Sequence, residues 1–184
     1  MNPYYSDEFG TLYLGDSKEI LPNLEPNSVD MAITSPPYWK ARRYISDNEL
    51  GQEPDFRDYI NNLCKILDFV KCSLHEKRGS LFVNIGDKYM SKVSGSGGRN
   101  TKQLTNTGSF FNASKAASTL PDGSLVDIPG RFSIQMIDEW SWILKHRIIW
   151  YKPNAFVTSN KKKFTLDYEL IYHFILDPKN YYFT

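Results

Sequence analysis

The hexapeptide Thr-Ser-Pro-Pro-Tyr-Trp at residues 34–39 has the residue types needed for chemistry on an amino group. The two adjacent prolines fix two φ angles and remove two N–H donors, which is expected to leave the carbonyls of Ser35 and Pro36 as unpaired acceptors in a stiff loop. Acceptors that bond both hydrogens of a base amine favour a more tetrahedral nitrogen and stabilise positive charge as an electrophile arrives. The Ser35 hydroxyl adds a further acceptor.

The hexapeptide also contains an aromatic residue, Tyr38, beside these acceptors. Tyr38 offers a stacking face to a base pulled out of a duplex, as base-modifying enzymes require. Stacking needs the ring and not the hydroxyl, so Tyr38→Phe is expected to keep much of the activity that Tyr38→Ala loses. A Pro-Pro-Tyr sequence also serves elsewhere as a simple rigid turn. The predicted catalytic residues are Ser35, Pro36, Pro37 and Tyr38.

The segments around this loop predict an α/β fold. Residues Val29–Ile33 are nearly continuous in apolar character, which is typical of a strand buried on both faces of a parallel sheet, and they run directly into the loop. Apolar residues recur at helical spacing over Asp55–Glu76, and a second buried-type strand follows over Gly79–Ile85. A strand, helix, strand order implies a right-handed parallel crossover. The loop is therefore predicted to lie at the carboxyl end of a sheet strand.

The remaining segments add further elements. Gly10–Leu14 is predicted as a short strand. The polar stretch Lys88–Asp127 is too long for a normal connection, which indicates a functional or mobile loop. A helix with apolar positions from Phe132 to Leu144 leads to a strand over His146–Tyr151. A last strand, Asp167–Ile175, is expected to pair antiparallel with it.

In this context the hexapeptide closely resembles the catalytic motif of amino-methyltransferases, which is Asp, Asn or Ser followed by Pro-Pro and an aromatic residue. The Ser form after Thr is typical of the cytosine-N4 branch. Segments within Leu12–Asp30, Gly79–Tyr89 and Ile149–Glu169 resemble other blocks of the permuted, beta-type amino DNA methyltransferases, in the same order. The resemblance covers nearly the whole chain.

The resemblance implies a Rossmann-like S-adenosylmethionine-dependent methyltransferase sheet, mostly parallel with a C-terminal antiparallel hairpin. It implies S-adenosyl-L-methionine as cofactor, bound by Asp16 and Ser35, and double-stranded DNA as substrate. The expected activity is direct methyl transfer to N4 of a flipped-out cytosine in a restriction-modification system. Such transfer needs no cysteine nucleophile, and Cys64 and Cys72 are expected to be reduced packing residues.

One departure from the family pattern concerns the cofactor site. The Phe-x-Gly-x-Gly loop that holds the methionine part of the cofactor lies in the permuted subgroup beyond a target-recognition region, and the sequence up to Thr184 contains neither. Residues 1–184 are therefore interpreted as the catalytic portion of a methyltransferase domain with an incomplete sheet. A second chain that carries the missing parts is an expected partner. The isolated chain is expected to bind cofactor weakly and to be inactive.

Local charge indicates where DNA would bind. The formal net charge is only +1, but Lys88–Leu120 contains basic residues and no Asp or Glu. A solvated basic loop is the alternative interpretation, and Trp39 has the alternative of packing the catalytic loop. The predicted DNA-contacting residues are Trp39, Arg42, Arg43, Lys88, Arg99, Lys152, Lys161 and Lys162.

Several alternatives remain open at this point. Adenine N6 needs the same acceptors as cytosine N4, an RNA base or a glutamine side chain is a more distant target, and a non-catalytic module that binds DNA or a partner chain is the non-enzymatic interpretation. Glu169 and Asp167 are expected to pair with nearby lysines, and His146 and His173 to be core histidines. No metal site, secretory signal or membrane segment is indicated, so the expected location is the cytoplasm.

Overall fold

The computed structural model describes residues 2–42, 49–90, 119–155 and 164–181 of the 184-residue chain. The elements in chain order are β1 (Tyr5–Ser6), β2 (Thr11–Leu12), α1 (Ser17–Ile20), a 3-10 turn (Leu21–Asn23), β3 (Met31–Thr34), α2 (Phe56–Ser73), β4 (Ser80–Ile85), α3 (Ile128–Asp138), β5 (Ile143–Tyr151) and β6 (Tyr168–Ile175). Four predicted DNA-contacting residues lie outside the described residues, as does most of the long polar segment: Arg43, Arg99, Lys161, Lys162 and 91–118.

Among the described residues, the main sheet has four strands in the order β3-β4-β6-β5. β3 and β4 are parallel and are connected through α2, as predicted, whereas β6 is antiparallel to both β4 and β5. The C-terminal antiparallel hairpin is therefore confirmed. The expectation of a mostly parallel sheet is wrong for the described part of the chain, because β6 returns from the hairpin and inserts between β4 and β5.

Helix α2 supplies much of the core. Asp55 caps its first turn by accepting a hydrogen bond from the backbone N–H of Arg57 at 2.8 Å. The apolar side chains on one stripe of the helix are buried, and each such burial contributes about 1.5–3 kcal/mol. The sheet residues in the same core are Leu81, Val83, Ile85, Tyr172 and Phe174. α3 joins this layer through Phe132, which makes edge-to-face ring contacts with Tyr172 and Phe174 of β6.

Strand β3 is less buried than its sequence indicates. Met31 is 58% exposed and Ile33 is 72% exposed, while Ala32 packs against the core. β3 has one neighbouring strand, β4, and among the described residues α2 and α3 cover only the opposite face of the sheet. The expectation of burial on both faces is therefore wrong for the described part of the chain.

Two other predicted elements differ in extent. The strand expected over Gly10–Leu14 is reduced to β2, which pairs antiparallel with β1 in a separate two-stranded sheet. The helix expected to reach Leu144 ends at Asp138. It ends there because Ser141 adopts a left-handed backbone conformation, with φ 55°, and Ile143 enters β5.

The two histidines of the hairpin differ in burial. His173 on β6 is 1% exposed, as predicted, whereas His146 on β5 is exposed. The Nδ1 atoms of the two rings lie 3.0 Å apart, and His173 Nε2 lies 3.0 Å from Ser80 Oγ. Burial, together with His146 and Lys145, lowers the pKa of His173 to about 4. His173 is therefore neutral near neutral pH.

The cysteines are both free but are placed differently on α2. Cys64 is buried, and burial raises the pKa of its thiol to about 12. Cys72 is exposed, so the expected packing role is wrong for this residue. Within the described ranges, no helix has the length and apolar character to cross a membrane. The same ranges contain no group of three or more side chains suited to holding a metal ion.

Candidate active site

Four chain segments meet at one edge of the main sheet. β3 and β4 end there, β5 ends there, and β6 begins there, as the pairings of Thr34 with Val83 and of Tyr151 with Tyr168 show. Open α/β sheets bind their ligands at the carboxyl ends of the parallel strands, which is this edge. The polar and glycine residues that adjoin it are Ser35, Gly86, Asp87, Lys152 and Glu169.

Helix α2 holds the proline loop in place. The hydroxyl of Tyr59, which is fully buried, donates to the carbonyl of Pro37 at 2.9 Å. Pro36 is also buried, whereas Ser35 is exposed. The Pro37 carbonyl is thus used within the protein, and the role assigned to the carbonyls of Ser35 and Pro36 stays a prediction.

The chain that follows the loop folds back against it. Trp39 is 2% exposed, its Nε1 donates to the carbonyl of Glu53 at 2.8 Å, and its ring packs edge-on against Phe56. Gly51 has φ +93°, and a Cβ there would lie 3.1 Å from the carbonyl oxygen of Tyr38, so a glycine is needed. The structure favours the alternative in which Trp39 packs the catalytic loop over a DNA contact by its indole.

Tyr38 is fixed at both its ring and its hydroxyl. A Cβ at Gly86 would lie 2.5 Å from Cε2 of Tyr38, so the ring rests directly on the glycine backbone. The Tyr38 hydroxyl donates to Glu169 Oε2 at 2.9 Å, and it accepts a hydrogen bond from Ser35 Oγ at 3.3 Å. The hydroxyls of Ser35 and Tyr38 are therefore linked to β6 through Glu169.

The carboxylate of Glu169 accepts from several side chains at this end of the site. Asn84 Nδ2 donates to the same Oε2 atom at 3.0 Å, and Lys152 forms an ion pair with Oε1. Burial would raise the pKa of Glu169, but the hydrogen bonds from Lys152, Asn84 and Tyr38 outweigh it and hold the pKa below its ordinary value. The expected pairing of Glu169 with a lysine is confirmed, and the carboxylate is ionised.

Two further polar groups lie close to this edge. Asp87 Oδ1 accepts from the backbone N–H groups of Lys88 at 2.8 Å and Ile128 at 3.1 Å, so it caps the start of α3. Burial raises the pKa of Asp87, although these two backbone bonds oppose the shift. The Oδ1 atom of Asn84 is buried and has no hydrogen-bond partner among the described residues, which leaves a buried acceptor beside Glu169.

Asp16, the predicted cofactor ligand, caps α1. Its Oδ1 accepts from the backbone N–H of Lys18 at 2.9 Å, and the residue is exposed. Asp16 follows β2, which lies within the strand expected over Gly10–Leu14 but belongs to the small β1–β2 sheet and not to the main sheet. Its role toward the cofactor stays a prediction.

The three basic DNA-contact candidates that the structure describes lie in different environments. Arg42 is exposed. Lys88 is half-buried, with its Nζ over the Trp39 ring at 5.4 Å, and burial together with the nearby Lys40 lowers its pKa. Lys152 forms an ion pair with Glu169, the carboxylate that also accepts from Tyr38.

The sequence patterns do not reveal the site role of four residues that support the loop at residues 34–39. Tyr59 is indistinguishable by spacing from the core residues of its helix stripe. Two of these residues stand out in the sequence: Asn84 is a polar residue within a buried-type strand, and Gly86 is a glycine directly after that strand. Glu169 was recognised only as a partner for lysine. Its contact with Tyr38 joins positions 131 residues apart in the chain, which no local pattern reveals.

Known DNA methyltransferases share sequence with most of this chain. The Type II methyltransferase M.SfiI of Streptomyces fimbriatus is 33% identical over 172 residues, which cover 94% of this chain and 37% of M.SfiI. M.Cfr9I of Citrobacter freundii is 32% identical over 179 residues, which cover 94% of this chain and 56% of M.Cfr9I. The chain therefore spans about half or less of the length of these relatives.

Solved structures show the same fold. The PvuII DNA methyltransferase (cytosine-N4-specific) superposes with a TM-score of 0.67 at 21% identity, over 95% of this chain and 51% of that chain. The putative DNA modification methylase TTHA0409 of Thermus thermophilus, solved in complex with S-adenosyl-L-methionine, gives a TM-score of 0.58 at 18% identity, over 93% of this chain and 54% of that chain. Residues 29–184 match the N6_N4_Mtase family, described as DNA methylase, and the chain therefore belongs to the N6/N4 DNA methylase family.

Proposed function

We propose that this chain carries the catalytic loop of a DNA methyltransferase that acts on N4 of a flipped-out cytosine, with S-adenosyl-L-methionine as methyl donor. The cytosine-N4 assignment is supported by the Thr-Ser-Pro-Pro-Tyr-Trp sequence and by the fold shared with the cytosine-N4-specific PvuII enzyme. The Type II designation of M.SfiI and M.Cfr9I supports a place in a restriction-modification system.

The observation that carries the proposal is the state of Ser35. Its hydroxyl is exposed at the carboxyl edge of the parallel strands and donates its hydrogen to Tyr38. A hydroxyl that donates in this way retains two lone pairs as acceptors. An acceptor beside a base amine raises the nucleophilicity of the nitrogen and stabilises positive charge on it during alkylation.

The chain's residues also suit the methyl donor. Asp16 is exposed, and a carboxylate has about four acceptor positions, so capping α1 with Oδ1 leaves capacity for the amino group of an adenine. When bound, S-adenosyl-L-methionine supplies an electrophilic methyl group. A further segment or a second chain with the Phe-x-Gly-x-Gly loop and the target-recognition region completes the site in this proposal, and exposed Arg42 contacts the DNA backbone.

Substitution of Ser35 tests the proposal. In the full-length protein, Ser35→Ala is expected to lower the single-turnover rate of methyl transfer to DNA by about a hundredfold, which is typical of losing one preorganised polar group at a reacting centre. Ser28→Ala is the matched control, because the Ser28 hydroxyl only donates to the carbonyl of Glu25 on an exposed turn. A Ser35→Ala protein that transfers methyl groups at the rate of the Ser28→Ala protein would remove Ser35 from the mechanism.

A further inference from the structure

We propose that Glu169 is a positioning residue for Ser35. By accepting the hydrogen of the Tyr38 hydroxyl, it makes Tyr38 accept the hydrogen of Ser35, so that Ser35 Oγ presents only lone pairs to the amine of the target base. The inference rests on the proposed function, since it names the group that prepares Ser35 for that reaction.

The direction follows from the donors that each group has. An ionised carboxylate can only accept hydrogen bonds, and a tyrosine or serine hydroxyl has one hydrogen to give. Because Tyr38 gives its hydrogen to Glu169 at 2.9 Å, its oxygen can only accept from Ser35. Because Ser35 gives its hydrogen to Tyr38 at 3.3 Å, its remaining capacity is that of an acceptor.

The surroundings of Glu169 keep it in the accepting form. Every polar contact to its carboxylate comes from a donor, namely Lys152 after β5, Asn84 of β4 and Tyr38 of the loop. These contacts lower the pKa of Glu169 against the effect of burial, so the carboxylate stays ionised at neutral pH. A carboxylate with a lowered pKa is a poor proton acceptor, so Glu169 orients the chain of hydroxyls and does not act as a general base.

The isosteric change Glu169→Gln tests the contribution of the carboxylate. A glutamine amide has no negative charge and a single acceptor oxygen, so it cannot accept from Lys152 at one atom and from Tyr38 and Asn84 at the other, as Glu169 does. In the full-length protein we expect the single-turnover rate constant to fall by between about ten- and a hundredfold, as for loss of a hydrogen bond to a charged group. KM for S-adenosyl-L-methionine and for DNA should stay within about twofold, because the hydrogen bond from the amine to Ser35 strengthens mainly as positive charge develops on the nitrogen in the transition state.

The double variant identifies the route of the effect. If Glu169 acts through Tyr38, the rate of Glu169→Gln combined with Tyr38→Phe should equal that of Tyr38→Phe alone. Glu139→Gln is the matched control, since Glu139 is exposed and accepts from Gln135 on α3. Should Glu169→Gln fail to fold, Tyr38→Phe tests the same chain of hydroxyls, because it leaves Glu169 paired with Lys152 and Asn84.

A pH profile separates positioning from simple support of the fold. The folded-state pKa of Glu169 is lowered. The hydrogen bonds from Ser35 through Tyr38 to Glu169 are therefore present at pH values above that pKa and are lost as the pH falls through it. Lys152→Met removes the largest lowering contact, and the acid limb of the rate profile should move to higher pH. In Glu169→Gln that limb should disappear.

The outcomes of these measurements are distinct. Normal rates for both Glu169→Gln and Tyr38→Phe, or an acid limb unmoved in Lys152→Met, with Ser35→Ala inactive, would overturn the positioning role and leave the proposed function standing. An active Ser35→Ala protein would instead overturn the proposed function. Multiplicative losses in the double variant would show that Glu169 does not act through Tyr38.

Discussion

The placement of Tyr38 depends on two contacts made by different parts of one residue. Its ring rests on Gly86, and its hydroxyl is bonded to Glu169 and Ser35. The hexapeptide alone predicts a role for the ring and a Tyr38→Phe protein that keeps much of the activity. The hydrogen bonds give the hydroxyl a role as well, so we now expect Phe to lower the rate and Ala to lower it further.

The contact between Gly86 and Tyr38 gives a direct test at the same scale. In Gly86→Ala the new methyl group would lie 2.5 Å from Cε2 of the ring, well inside the distance of about 3.5 Å at which carbon atoms make contact. The ring must shift and the bond to Glu169 must lengthen, so we expect single-turnover methyl transfer to fall at least about tenfold.

The control for this substitution is Gly10→Ala. A Cβ at Gly10 meets nothing within 4 Å, so its rate should equal that of the unmodified protein. Circular dichroism of both variants would check that they fold. A folded Gly86→Ala protein with an unchanged rate would contradict the described position of the Tyr38 ring.

Residues of the site were predictable from the sequence where they lie close together in the chain. Ser35 and Tyr38 lie in one hexapeptide whose prolines indicate a stiff loop. Tyr59 and Glu169 were not predictable as parts of the site, because each contacts the loop from a distant element. Their bonds to Pro37 and Tyr38 join residues 22 and 131 positions apart.

At the scale of the elements, the direction of β6 decides the composition of the site. Because β6 runs antiparallel to β4, its first residues lie at the edge where β4 ends, and Leu170 pairs with Ile85. A parallel β6 would begin at the other edge and would place Glu169 far from Tyr38. The sequence predicts the antiparallel hairpin but not the pairing of β6 with β4, and this pairing is what brings the carboxylate to the loop.

The buried histidine of β6 predicts how the stability of the hairpin depends on pH. His173 faces Ser80, His146, Phe82 and Tyr181, and its pKa is lowered from 6.5 to about 4. Between these values the unfolded chain binds a proton that the folded chain does not, so the free energy of unfolding should fall as the pH decreases from about 6.5 to about 4.

Chemical denaturation at several pH values would measure this effect. His173→Gln, which can keep a hydrogen bond to Ser80, should show a smaller fall in the free energy of unfolding over that range than the unmodified chain. His75→Gln is the control, because His75 lies after α2 and its ring only accepts from the backbone of Lys77. Equal pH dependence in His173→Gln and the unmodified chain would show that His173 does not carry the effect.

Elements with strong periodicity were predicted in place. The stripe of α2, the apolar run of β4 and strand β6 lie where their patterns put them, because local spacing determines them. β5 begins earlier than predicted, at Ile143, within the segment expected to be helical. The burial of β3 was not predictable, because it depends on what covers Met31 and Ile33. Sheet order likewise depends on contacts between segments distant in sequence.

At the scale of the whole molecule, the described layers are asymmetric. α2 and α3 cover one face of the main sheet, and the other exposes apolar side chains such as Ile33 and Ile148 among the described residues. Exposed apolar patches of this kind mark surfaces that take part in further contacts. Together with the coverage of 37% of M.SfiI, this supports the proposal that a further segment or chain completes the cofactor site. The weak cofactor binding expected of the isolated chain stays a prediction.

Mass spectrometry of nucleosides is the most direct test of the central claim, that the Ser35 loop methylates an exocyclic amine of DNA at cytosine N4. DNA would be treated with the full-length protein and S-adenosyl-L-methionine carrying an isotopically labelled methyl group, then digested to nucleosides. We predict labelled N4-methylcytosine, lost with Ser35→Ala and kept with Ser28→Ala. Labelled N6-methyladenine would contradict the target, and DNA without a labelled base would contradict the methyl transfer itself.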